Sequence, residues 1–296
     1  MIAQARERLY IDLLRWAPKR TFASVVGTLA RRRLPRAVRR SMYTTFANRV
    51  GADLSEVALP LEEYATLDDF FTRQLRAGVR PIDDTPEVVI SPCDGTISEH
   101  GETDRGRLVQ AKGIHYPLWA LLGDRAAAER FEGGTYVTIY LAPRDYHRVH
   151  FAAGGTVTGY RHVAGALFPV NAAAVRHVDG LFAKNERLIT YQDSPAGEVA
   201  TVMVGATAVG QITVTYDAVA TRLRGRGRPG EEVRFGAPHP VERGGELGTF
   251  HLGSTVILVF QSGRVRLGAL TIGQRVRMGE PIARLLAPSV GSGDAA

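Results

Sequence analysis

Cysteine is almost missing from this 296-residue chain. Cys93 stands alone, so no disulfide can close within it and its fold must rest on a hydrophobic core. Lysine is scarce too, at Lys19, Lys112 and Lys184, with none in the last third. That bears on LTIGQRVRMGEPIARL (270–285), which has the rhythm of biotinyl and lipoyl carrier modules. Such modules tether their cofactor to lysine, so any likeness there is one of fold only. No apolar run approaches the roughly 18–20 residues that a membrane-spanning helix needs. FASVVGTLA (22–30) has the length of a signal-peptide core, but RRR follows where small residues should mark a cleavage site, so no cleavage is expected. No internal repeat and no zinc-motif spacing is present, and a metal is not expected.

The composition that remains, 45% hydrophobic and 23% charged with a mean hydropathy of -0.08, is that of a soluble globular chain. Its net charge of +7 is unevenly placed. Residues 1–41 hold 11 basic side chains against Glu7 and Asp12, so the remainder is slightly acidic. A local basic device is implied rather than a general nucleic-acid surface, and nucleic acid is not an expected partner.

Three short pieces of helical spacing occupy the first 50 residues, divided by Pro18 and Pro35 and stopped at Gly51: Leu9, Leu13, Trp16 and Ala17; Phe22, Val25, Val26 and Leu29; Val38, Met42, Tyr43 and Phe46. Arginines 31–33, 36, 39 and 40 crowd the second break. Two readings stand: helices lying in an anionic membrane interface, or a helical subdomain packed on the core with solvated arginines. A further helix is predicted from a capping box at Thr66 through to Gly78, and another over Leu118–Arg130. From Glu87 onward, runs such as EVVI, TYVTIYL, EVATVMVGATAV, QITVTY and STVILVF alternate with turns, and LRGRGRPGEE (223–232) reads as a surface loop. The predicted fold is α+β: short amphipathic helices over 1–64, then a mainly antiparallel, barrel- or sandwich-like catalytic body over 65–296.

Three segments gather residues capable of chemistry. SPCDGTI (91–97) presents Asp94 in a Pro-Gly turn. APRDYHRVH (142–150) places Asp145, His147 and His150 within nine residues, the two histidines on opposite faces unless the chain turns. ELGTFHLGSTVILVF (246–260) sets Gly253 and Ser254 before an apolar strand, where glycine lets the serine hydroxyl approach the preceding carbonyl. Each is weak alone; Asp-Gly turns, structural histidines and Gly-Ser pairs are common.

Together and in order, TLDDFFTRQLRAGVRPID, SPCDGTI, LVQAKGIHYPLWALL, YLAPRDYHRVHFAAGG, GALFPVN, LFAKNERL, VMVGATAVGQI and GEELGTFHLGSTVILVF resemble the phosphatidylserine decarboxylase family, in its bacterial membrane-bound L-G-S-T form. The resemblance spans about residues 65–260. Cys93, Pro169, Thr249 and His251 depart from its usual pattern.

The resemblance implies a proenzyme that cuts itself between Gly253 and Ser254 into chains 1–253 and 254–296, which stay associated. His150 would be the general base for Ser254, with Asp94 completing a charge relay and Asp145 a second candidate for the carboxylate. Ser254 would become a covalent pyruvoyl group, the cofactor, forming a Schiff base with the substrate amine as CO2 leaves, and His147 would supply the proton. The implied partners are phosphatidylserine and an anionic membrane surface, with a homodimer as the assembly. The implied location is peripheral, on the cytoplasmic face of a bacterial inner membrane. Two rivals use the same residues: a pyruvoyl decarboxylase of soluble amino acids, which leaves the basic N-terminus without purpose, and a Ser254-His150-Asp94 hydrolase, which would leave the chain intact.

Overall fold

The β-branched runs beyond Glu87 pair as strands, where such side chains pack well. The computed structural model describes residues 19–111, 113–207, 211–218, 230–251 and 253–287. Eight strands form one antiparallel sheet in the order Glu232–Val241, Gly155–Val163, Arg187–Ser194, Gly197–Gly205, Ser254–Phe260, Thr135–Leu141, Gly95–Glu102, Arg275–Val276. The most apolar segment, STVILVF, lies inside it and is buried at every residue, as a strand covered on both faces must be. The expected α+β class with a mainly antiparallel body is present. The barrel-like expectation needs correction: among the described residues the two outer strands do not pair, and the sheet stays open.

A second sheet of three strands, Gln211–Val214, Glu246–His251 and Arg148–His150, carries the functional segments. The chain leaves this sheet at His251 and enters the central one at Ser254, so the Gly253-Ser254 peptide is the corner between them. Gly253 takes φ +55°, the left-handed region, with nothing within 4 Å of where a Cβ would stand. Glycine is required there by backbone conformation rather than by space. A third sheet joins Val88–Ile90 to Pro281–Leu285 and Val265–Leu267.

Before the sheets come the helices Lys19–Ala30 and Arg36–Val50, the second closed by left-handed Gly51. The predicted piece around Leu9–Ala17 lies outside the described residues. Tyr43 and Ala47 bury against Tyr64 and Phe70, with Tyr43 stacked on Phe70 at 4.6 Å. Val25, Leu29 and Val38 stay about half exposed beside exposed Arg31, Arg32 and Arg33, so part of the apolar stripe packs inward and part does not. No helix among the described residues is long and apolar enough to cross a membrane.

Two helix expectations are shortened. The Thr66 capping box forms in both directions, but its helix spans only Leu67–Phe71. Beyond it Leu75 bridges to Val57, while Ala58 N–H donates to Gln74 O and Arg76 N–H to Glu56 O, which draws the chain into extended pairing. The helix expected over Leu118–Arg130 is two, Leu118–Leu122 and Arg125–Glu129, divided by left-handed Gly123 and re-started by the Asp124 cap. Of the predicted loop 223–232, residues 223–229 lie outside the described residues.

Candidate active site

The segment after the Thr135–Leu141 strand turns at once, which resolves the two-face question for its histidines. Asp145 makes that turn: its carboxylate accepts from Ala142 N–H (2.7 Å) and its own N–H donates to Ala142 O. Its other oxygen accepts from Arg275 at 2.7 Å. Asp145 is thus a turn cap, hydrogen-bonded to neither histidine. After the turn, Phe250 N–H donates to His147 O, and Arg148–His150 joins the small sheet with His150 opposite Glu246. His150 N–H donates to Pro92 O at 2.7 Å, which brings the Asp94 turn alongside. Ser254 pairs with Leu141 on one side and Gly205 on the other. The three segments singled out in sequence therefore converge.

His147 is fully buried. Its Nε2 lies 3.1 Å from Ala142 O, next in the chain to the strand partner of Ser254, and its ring stacks on Phe71 at 4.1 Å. Donation from Nε2 leaves Nδ1 as the basic nitrogen, and Nδ1 has no partner. Burial first, and then the Arg73 charge, push its pKa down to about 3, against a weaker upward pull from the Ala142 carbonyl. Ser254 is also fully buried, and its Oγ likewise has no partner. Leaving a polar group unbonded inside a protein costs about 1–3 kcal/mol, and here two such groups lie on adjoining segments.

His150 is engaged at both nitrogens, with Nδ1 2.9 Å from Gly244 O and Nε2 3.1 Å from the Tyr146 hydroxyl. Burial lowers its pKa, opposed by the Gly244 carbonyl and by the charges of Glu246 and Asp94. Asp94 lies close enough to act on His150 through its field, but no hydrogen bond joins them. The Asp94 carboxylate accepts instead from Arg80 (Nε 2.8 Å, Nη2 2.5 Å) and from Met278 N–H (2.9 Å). Arg80 is held from its other side by Glu56. Burial works against the Arg80 charge, but the bonds to Asp94 and Glu56 more than offset it and raise its pKa.

Several side chains at the site carry no signal of their own in the sequence. Phe71 and Arg73 belong to a motif that reads as an ordinary helix, Arg80 to the turn after it, and Tyr146 to the histidine segment itself. His251 stands out in the sequence only as a departure from the family pattern. Its Nδ1 lies 2.9 Å from Asp68 Oδ2, a tie between the strand leading to Gly253 and the helix Leu67–Phe71. Among the described residues no group of three or more His, Cys, Asp or Glu could hold a metal.

Residues 67–284 match the family model described as phosphatidylserine decarboxylase. Similar proteins include the phosphatidylserine decarboxylase proenzymes of Anaeromyxobacter sp. (strain K), 52% identical over 93% of this chain and 98% of the relative, and of Myxococcus xanthus, 46% identical over 88% and 91%. That of Bordetella petrii is 42% identical over 94% and 98%.

Proposed function

The chain belongs to the phosphatidylserine decarboxylase family, and from that premise we propose that it is a self-cutting proenzyme whose Ser254 becomes a pyruvoyl group. It is a decarboxylase, and its reaction converts phosphatidylserine to phosphatidylethanolamine and CO2. The single observation carrying the self-cutting reading is Ser254 itself: a buried serine with an unbonded Oγ, following a left-handed glycine at a corner between two sheets.

In the proposed cut, Ser254 Oγ loses its proton to a histidine and attacks the Gly253 carbonyl carbon. The peptide C–N bond breaks as the ester C–O bond forms, and the proton passes to the freed amine of Ser254. Elimination across Cα–Cβ releases the Gly253 carboxylate, and water then replaces the nitrogen, which leaves as ammonia. Position 254 fits the group that results, because Ser254 is fully buried and opens a strand paired on both sides. When formed, that group serves as the electron sink for decarboxylation. This chain's own residues then bind the headgroup, exclude water and deliver a proton to the substrate Cα.

We assign the first proton transfer to His150, supported in charge by Asp94 and freed when the Tyr146 hydroxyl leaves its Nε2. His147 is assigned the proton delivered after CO2 departs. A second reading has one observation in its favour: His147 Nδ1 is already unbonded, which suits it to take the Ser254 proton. Intact-mass analysis of purified protein decides. Two chains are expected, with the 254–296 fragment lighter by about one ammonia than its plain hydrolysis product; a single unmodified chain in an active preparation refutes the reading. His150→Ala should stay uncut and His147→Ala should cut without decarboxylating. The reverse pattern supports the second reading.

The helices Lys19–Ala30 and Arg36–Val50 are proposed to hold the enzyme peripherally on an anionic membrane, at the cytoplasmic face of a bacterial inner membrane. Exposed Val25, Leu29 and Val38 beside Arg31–Arg33 support this. A homodimer of the cut chain pair is the proposed assembly.

A further inference from the structure

Arg73 is the one buried guanidinium at the site that the proposed chemistry does not use. It is 3% exposed, and its Nη atoms reach only backbone carbonyls, Phe70 O at 3.4 Å and Arg144 O at 3.2 Å. Its Nε has no partner, its charge lies 5.2 Å over the Phe70 ring, and burial lowers its pKa. No carboxylate among the described residues pairs with it, although a buried charge is costly unless an opposite charge meets it.

Arg73 lines a cavity of about 200 Å³ between the helical region and the catalytic sheets, together with Arg144, Arg277, Asp94 and Tyr146. The carboxylates there are committed elsewhere. Asp94 and Glu56 share Arg80, Asp145 holds Arg275 and the Ala142 N–H, and Asp53 accepts from Ser55 N–H. Arg144 and Arg277 reach their nearest carboxylate oxygens only at 3.8 and 3.9 Å. The lining sets five arginines against the four carboxylates of Asp53, Glu56, Asp94 and Asp145, so a small excess of positive charge remains. Tyr146 borders it and also bonds His150, so it adjoins the site.

We infer that this cavity is a phosphoryl subsite, with Arg73 its buried anchor and Arg144 and Arg277 at its mouth, and that it takes the phosphodiester of the phospholipid headgroup. Guanidinium groups suit this role, since their planar donors match phosphate oxygens. The inference rests on the proposed function for the identity of the headgroup, but not for the anion chemistry. A bound phosphodiester would also offset the Arg73 charge that acts on His147. Filling the subsite would then raise the proton affinity of that imidazole when a proton is needed.

Calorimetric titration of the full-length cut protein tests this with three probes: glycerophosphoethanolamine, inorganic phosphate and ethanolamine. The variants are Arg73→Met and Arg73→Lys, and completion of self-cutting reports that each has folded. Arg73→Met should weaken binding of both phosphoryl probes at least tenfold and leave ethanolamine unchanged, while Arg73→Lys regains part of the loss. Binding of both phosphoryl probes undiminished by Arg73→Met overturns the subsite. Arg73-dependent binding of inorganic phosphate alone overturns its assignment to the headgroup and identifies a free-phosphate site. Arg73-dependent binding of both probes without CO2 release from phosphatidylserine supports the subsite and refutes the proposed function instead.

Discussion

His147 couples the packing of this site to pH, and acid should reveal it. In the folded chain its pKa is near 3, because burial and the Arg73 charge both disfavour the imidazolium, whereas the ordinary value is 6.5. The unfolded chain therefore takes up a proton at His147 as pH falls below about 6.5, and the folded chain does not until about pH 3. The contribution is full above the upper value and is lost progressively toward the lower one. Each tenfold difference in proton affinity is worth about 1.4 kcal/mol, so the loss is roughly 2 kcal/mol at pH 5 and approaches ~5 kcal/mol at the acid limit. The ring is fully buried, so solvent screening does not dilute the effect. Ser254→Ala provides a single covalent species for equilibrium urea unfolding near pH 7.5 and pH 5. Ser254→Ala/His147→Gln keeps a donor for Ala142 O and removes the titrating ring. The parent should lose about 2 kcal/mol more than the double variant between the two pH values, since the other histidines contribute to both. Equal losses would refute the argument that His147 is held neutral by its surroundings. A ring held neutral at working pH can deliver a second proton only after something raises its affinity.

Membrane attachment should depend on charge. Vesicles containing anionic phospholipid should sediment the protein, added salt should release it, and Arg31, Arg32 and Arg33 changed together to Gln should weaken binding several-fold; each exposed arginine adds up to ~1 kcal/mol near such a surface. Binding indifferent to lipid charge and salt refutes the electrostatic account. The His251–Asp68 tie should set the rate of self-cutting, since it fixes the end of the strand Glu246–His251, two residues before Gly253. Asp68→Asn should slow accumulation of the two chains, and His251→Lys, which keeps a hydrogen-bond donor facing Asp68, should retain more of the rate than His251→Ala. Identical time courses for all four proteins would show the tie to be irrelevant to the cut.

What sequence could reveal here followed the reach of the forces involved. Strand runs such as TYVTIYL and STVILVF were legible because β-branched and apolar residues signal burial locally. The start at Thr66 was legible because a capping box is complete within four residues. Its end was not, because the pairing of residues 74–76 with 56–58 is a tertiary choice that overrides helix preference. The candidate residues are legible as three clusters, and the fold brings the clusters together. Their bonding was not legible: the partners of Asp94 are Arg80, 14 positions earlier, and Met278, 184 positions later. Arg73 gave no signal, since an arginine after a helical run reads as solvated. Only the absence of a carboxylate beside it in the fold distinguishes it.

The position of the proposed cut also follows from topology. Ser254–Phe260 is in register with seven residues of Thr135–Leu141 on one side and seven of Gly197–Gly205 on the other, so its ladder hydrogen bonds reach only into the 1–253 part. Farther on, Arg275–Val276 pairs with Gly95 and Thr96, Pro281–Leu285 with Val88–Ile90, and Met278 N–H donates to Asp94. A 254–296 chain would thus be interleaved with its partner and could leave only by exposing a fully buried apolar strand. Within that strand a break would disrupt the ladder, whereas Gly253 lies in no strand and its left-handed turn belongs to the corner. Cutting there severs the link between two sheets without dismantling either. A new end formed there would lie at the buried start of a strand fixed on both sides, a setting that would hold the proposed carbonyl in place. Asp94, bonded to Met278 beyond the proposed cut and acting by charge on His150 before it, ties the two parts together.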